Sequence, residues 1–139
     1  MEVRIDEVLT VLNEGRPDII GVSTEIGQRR GAAYIRLVSE DAAERWAAVS
    51  TPGDRWFSIE VDSGFSLDYF EEEAPDDEVR RLVECFIKLA IDYIVRLPSP
   101  VKQGMFGLPV IKLFGPEGEA LLRRSLLGGL SSIIGRNSP

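Results

Sequence analysis

Apolar residues recur along this chain with two different periods. Ile5, Val8, Leu9 and Leu12 fall at i, i+3, i+4 and i+7, the stripe of an amphipathic helix. Gly15 and Pro17 stop that helix. Residues 18–25 then read as a strand and residues 27–31 as a turn. Ala33, Ile35 and Leu37 alternate with Tyr34, Arg36 and Val38, which predicts a second strand. Residues 42–50 fit two templates. Their alanines suit a helix, while Trp46, Ala48 and Ser50 alternate; the turn chemistry of Pro52-Gly53-Asp54 tips the reading toward strand. The clearest β signal follows. Trp56-Phe57-Ser58-Ile59-Glu60-Val61 alternates, Asp62-Ser63-Gly64 turns the chain, and Phe65, Leu67 and Tyr69 alternate back, an antiparallel hairpin.

The best-marked helix starts near Pro75, a residue suited to a first turn where its missing N–H costs nothing. Asp76, Asp77 and Glu78 follow, where the positive end of the helix dipole favours anions. Val79, Leu82, Val83, Phe86, Ala90, Tyr93, Ile94 and Leu97 make one apolar stripe, and Pro98 and Pro100 end it. After a loop containing Gly104 and Gly107, residues 108–114 read as a strand and 115–118 as a turn. Residues 119–125 suit strand or helix. Residues 126–134 suit a short terminal helix weakened by Gly128 and Gly129. There is no internal repeat and no linker. The expectation is one α+β domain over residues 1–139, a mainly antiparallel sheet with helices on one face.

Composition supports a real core, with 44% hydrophobic residues. No apolar run approaches the ~20 residues that cross a bilayer. The amphipathic, acidic start does not read as a signal peptide, and a lone Cys85 fits a reducing cytoplasm. Charge changes the picture more. The chain carries −7, but residues 1–79 hold 7 Lys/Arg and 19 Asp/Glu, giving −12, while residues 80–139 hold 9 and 4, giving +5. Acid on that scale repels nucleic acid and anionic lipid, so neither is expected as a partner of the first half. An acidic excess also aids solubility without any further role.

Catalytic equipment is sparse. The chain has no histidine, which removes histidine-based triads and imidazole metal ligands. One cysteine cannot build a zinc site, and Cys85 falls mid-helix with no histidine to activate it. Phosphate-cradling glycine motifs and calcium-loop spacing are missing. The expectation is no enzyme, no catalytic residue, no metal and no cofactor. Arg29-Arg30 and Arg123-Arg124 read as solvated pairs, not a nucleic-acid stripe.

The remaining candidate is a surface. Tyr69, Phe70, Glu71, Glu72, Glu73, Asp76 and Asp77 follow an aromatic strand and lead into a helix. Trp56 and Phe57 point opposite ways, as do Tyr69 and Phe70, so one helix cannot hide them all. An aromatic beside acid is an anchor for a basic protein partner. The stretches Asp54-Arg55-Trp56-Phe57-Ser58-Ile59-Glu60-Val61 and Gly64-Phe65-Ser66-Leu67-Asp68, running into residues 79–94, resemble small actinobacterial immunity proteins that neutralise bacterial toxins. The resemblance covers the middle half of the chain and carries no binding residues across. It implies a cytoplasmic protein that occludes a toxin, with no chemistry of its own. A secretion-chaperone-like domain holding an extended partner is the alternative reading, and a carboxylate-dependent enzyme the third.

Overall fold

The structure, a computed structural model, describes residues 2–71 and 75–124, with side chains from Ile5 onward. It is the expected α+β domain. Helix α1 (Glu2–Glu14) precedes five strands, β1 (Val22–Arg29), β2 (Ala32–Ser39), β3 (Trp46–Thr51), β4 (Arg55–Val61) and β5 (Ser66–Glu71). Helix α2 (Asp76–Arg96) then leads to β6 (Val101–Gln103), β7 (Leu108–Gly115) and β8 (Gly118–Arg123). All strand pairs are antiparallel, in one sheet of order β1-β2-β3-β4-β5-β8-β7-β6. The terminal helix expected at residues 126–134 lies outside the described residues.

Helix α2 packs against β2, β3, β4 and β7. In that order β2 and β7 are five strand spacings apart, about 24 Å if the sheet were flat. A helix about 10–12 Å across reaches both only if the sheet curls around it. The inner face of that curl is the core. Ile35, Val49 and Ile59 are aligned across β2, β3 and β4 and lie at 2% exposure or less, with Phe57, Phe65, Ile111, Leu113 and Leu122 buried beside them. From α2, Val79, Leu82, Val83, Phe86, Ile87, Leu89, Ala90, Tyr93 and Ile94 fill the curl. Helix α1 adds Ile5, Val8, Val11 and Leu12, while Leu9 is only half-buried.

Several boundaries differ from the sequence reading, each for a local reason. Strand β1 starts at Val22 because residues 19–22 form a turn, closed by Val22 N–H to the Ile19 carbonyl at 3.1 Å, with Gly21 at φ +86°. The same strand continues through Gly27, opposite Tyr34. A Cβ on Gly27 would sit 2.8 Å from the Tyr34 hydroxyl, so glycine here makes room for a ring and does not mark a turn. The turn narrows to Arg30-Gly31, both with positive φ, a type I′ hairpin geometry. Residues 42–45 turn, and the strand expected across 42–50 begins at Trp46. Residues 118–123 are strand because they complete the β7 ladder, which overrides their helical propensity. Leu97 leaves the buried stripe: it caps α2 in the left-handed region and is 41% exposed.

Candidate functional site

Two ends of α2 carry the notable surfaces. At its N-terminal end, β4 and β5 pair as Arg55–Glu71, Trp56–Phe70, Phe57–Tyr69 and Ser58–Asp68. The pleat splits the expected aromatic pair between two faces. Tyr69 lies on the helix side, its ring 6.5 Å from that of buried Phe57 and its hydroxyl donating to Glu71 Oε1 at 2.7 Å. Phe70 lies on the outer face opposite Trp56, 73% exposed. Strand β5 meets β8 only at Ser66–Arg123, so residues 67–71 present an edge unpaired by any described strand.

Below Tyr69 sits an ion cluster that sequence spacing does not reveal. Arg81 binds both carboxylate oxygens of Glu78 at 2.7 Å and also pairs with Glu117 from the β7–β8 turn. The Arg81 fork holds the Glu78 carboxyl below the usual range, and the hydrogen bond to Glu71 pushes the Tyr69 phenol up. Glu78 is within reach of sequence reasoning as the N-terminal partner of an i,i+3 pair. Glu117, nearly forty positions away, is not. Asp77 is exposed, and Asp76 lines a groove of about 270 Å³ between the helices, floored by Val8, Val11 and Val79 and edged by Glu7, Thr10 and Arg80. Arg80 is held there by Glu14 at 2.8 Å. Of the seven residues singled out from sequence, Tyr69, Glu71, Asp76 and Asp77 thus gather on the helix side and helix entrance, and Phe70 faces away. Glu72 and Glu73 lie outside the described residues.

At the C-terminal end of α2, Asp92 and Arg96 reach the edge of β7. Asp92 accepts the Phe114 N–H at 2.9 Å, and Arg96 donates to the Lys112 carbonyl at 2.7 Å while stacking over Phe114 at 5.0 Å. The two side chains supply the hydrogen bonds a neighbouring strand would make. Burial alone would raise the Asp92 pKa, but the Arg96 fork and the Phe114 N–H outweigh it and lower it. Nearby, Asp62 Oδ1 accepts from the Tyr93 hydroxyl at 2.8 Å and the Trp46 N–H at 2.9 Å, pinning α2 to the start of β3. Burial first, then this bond, holds the Tyr93 phenol neutral well above its ordinary range.

Chemically, the arrangement is suited to recognition by shape and charge. Cys85 is half-buried, and burial pushes its thiol up, away from the reactive thiolate. No cluster of three or more metal-ligating side chains occurs among the described residues. In comparisons with known proteins, no family model, no curated protein and no solved structure matches this chain.

Proposed function

We propose that this chain is a non-catalytic protein-binding domain of the toxin-immunity type, which meets a basic partner through the edge of β5 and the entrance of α2. The observation that carries this reading is Phe70. A phenylalanine 73% exposed on a sheet face is an unfilled anchor, with Asp68 on its own face and Glu71, Asp76 and Asp77 at the neighbouring strand end and helix entrance. Acids around such a ring steer a basic surface toward it, and the ring then slows departure. The Glu78 and Asp92 carboxyls are held low by Arg81 and Arg96, as ion-paired carboxylates are and a general acid is not. Cytoplasmic action follows from the same reading.

A secretion-chaperone-like role is the second reading, favoured by the exposed apolar residues around β6. That edge suits strand addition poorly. It is three residues long, carries Lys102, and pairs with Pro109, devices that blunt an edge. Co-expression with toxic proteins encoded beside the gene tests the first reading. Growth rescue by the native chain, lost on Phe70→Ala combined with Glu71→Lys, is expected. Rescue that survives both substitutions, or no rescue from any neighbouring toxin, overturns it.

A further inference from the structure

Among the described residues, seven of the ten exposed large hydrophobics lie between Val95 and Phe114: Val95, Leu97, Val101, Met105, Phe106, Leu108 and Phe114. Residues 93–116 also contain no aspartate or glutamate, in a chain with 23 of them, but do contain Arg96, Lys102 and Lys112. The fold gathers this stretch at one end. The β6–β7 hairpin closes through Gly107 N–H to the Gly104 carbonyl at 3.1 Å, with both glycines at positive φ. That leaves Met105 and Phe106 at the tip, 92% and 83% exposed, where hairpin turns ordinarily place polar residues. On the outer face behind the tip stand Val101, Leu108 and Arg123, since Arg123 pairs with Val110 and Val110 with Val101.

We infer that the β6–β7 hairpin docks the chain edge-on to an anionic lipid surface, with Met105 and Phe106 entering the boundary between headgroups and acyl chains. This goes beyond the proposed partner site and is independent of it. Two features select a bilayer as the occupant. First, the tip is convex, and a bilayer yields to a convex apolar tip where a protein would need a matching pocket. Second, the charges are complementary. Lys102 on the hairpin and Arg123 beside Val110 are exposed behind the tip, on opposite faces of the sheet, and half-buried Lys112 adds a third cation there. The acids of the helix entrance are held away. Asp76, Asp77, Glu78 and Glu117 lie at the other end of α2, about 31 Å along a 21-residue helix, several Debye lengths at physiological salt. Asp92 is neutralised by Arg96; Glu40, Asp41 and Glu44 share the C-terminal end of α2 through the Arg45–Tyr93 contact but stand across the curl from β6, and Glu119 lies opposite Phe114, four residues along β7 from Val110. The expectation of no membrane partner rested on the acidic first half; the hairpin belongs to the second.

The test is flotation of the full-length chain with vesicles of phosphatidylcholine mixed with phosphatidylglycerol, against phosphatidylcholine alone. Binding to the anionic vesicles is expected, reduced by salt, and weakened about tenfold or more by Met105→Ser with Phe106→Ser. Lys102→Glu with Lys112→Glu should weaken it by a similar factor while leaving the tip intact. Met105, Phe106 and Lys102 are exposed and Lys112 half-buried, so a thermal melting point held at the native value in both variants excludes misfolding. Equal binding to both vesicle types, no binding to either, or unchanged binding by the tip variant overturns the inference. So does a lipid-free chain that sediments as an oligomer and that the tip variant renders monomeric, because a second copy would then cover the tip.

Discussion

The two ends of α2 present opposite surfaces from one rigid element. The N-terminal end gathers acid around two aromatics of β5, one turned inward and one outward. The C-terminal end gathers apolar side chains with cations and shows no acid between residues 93 and 116. Both ends are exposed, yet they are built differently. Acids at the first end are partly tied into an ion cluster, Glu78–Arg81–Glu117, whereas the hairpin at the second is held to the helix through Asp92 and Arg96 on the β7 edge. The difference teaches that net charge describes neither surface: the chain total of −7 is the sum of two unlike regions on a scaffold longer than the reach of screened charge.

The largest expected effect breaks both ends together. Phe86 lies in the middle of α2 and is 5% exposed, so Phe86→Ala should cost about 3–5 kcal/mol in chemical denaturation. A loss below roughly 1 kcal/mol would show that the helix does not organise the sheet.

A second substitution separates the ends. Asp92→Ala removes the acceptor of the Phe114 N–H and the partner of Arg96, and should cost about 1.5–3 kcal/mol. Hydrogen exchange should rise at Phe114 and the β6–β7 hairpin while β5 stays protected. The lowered Asp92 pKa fixes the sign with pH. Its contribution is present above the unfolded carboxyl value, about 3.9, and is lost as pH falls through the lower folded value. Asp92→Asn should therefore flatten the acid limb of a stability curve.

Tyr93 gives the opposite limb. Its phenol is raised in the folded state, so its stabilisation is complete below about pH 10 and declines as pH rises beyond that. Tyr93→Phe should lose about 0.5–1.5 kcal/mol at neutral pH and remove the tyrosine part of the alkaline decline. An alkaline limb identical to the native one would contradict the Asp62 contact as described.

The smallest expected effect lies at the acidic end. Phe70→Ala should change stability by less than about 0.5 kcal/mol, because the side chain is exposed already. A larger loss would mean that Phe70 packs against the outer face and is no anchor.

Much of this architecture was legible as pattern. The 3.6-residue stripe of α2 and the alternation of β4 and β5 needed only periodicity; burial follows it in β4 and along α2 as far as Ile94, while β5, at the open edge, exposes Asp68, Tyr69 and Phe70 in succession. What escaped depended on partners distant in sequence. Gly27 reads as a turn until Tyr34 lies over it. Residues 119–125 suit helix as well as strand until β7 offers a ladder to 118–123. Strand β6 was missed because three residues carry no period, and the apolar tip was hidden in a stretch whose glycines signal only a loop. At the candidate site, adjacency grouped Tyr69 with Phe70, although period two sends them to opposite faces; Arg81 and Glu117 were invisible for want of a third dimension.

The most direct measurement of the central claim is the binding kinetics of an identified partner with the Glu71→Lys, Glu72→Lys, Glu73→Lys chain at two salt concentrations. The account predicts a lower association rate for the triple variant, a gap that narrows as salt rises, and a dissociation rate set instead by Phe70. Unchanged association and affinity at both salt concentrations would contradict it and remove the acidic end of α2 as the binding surface.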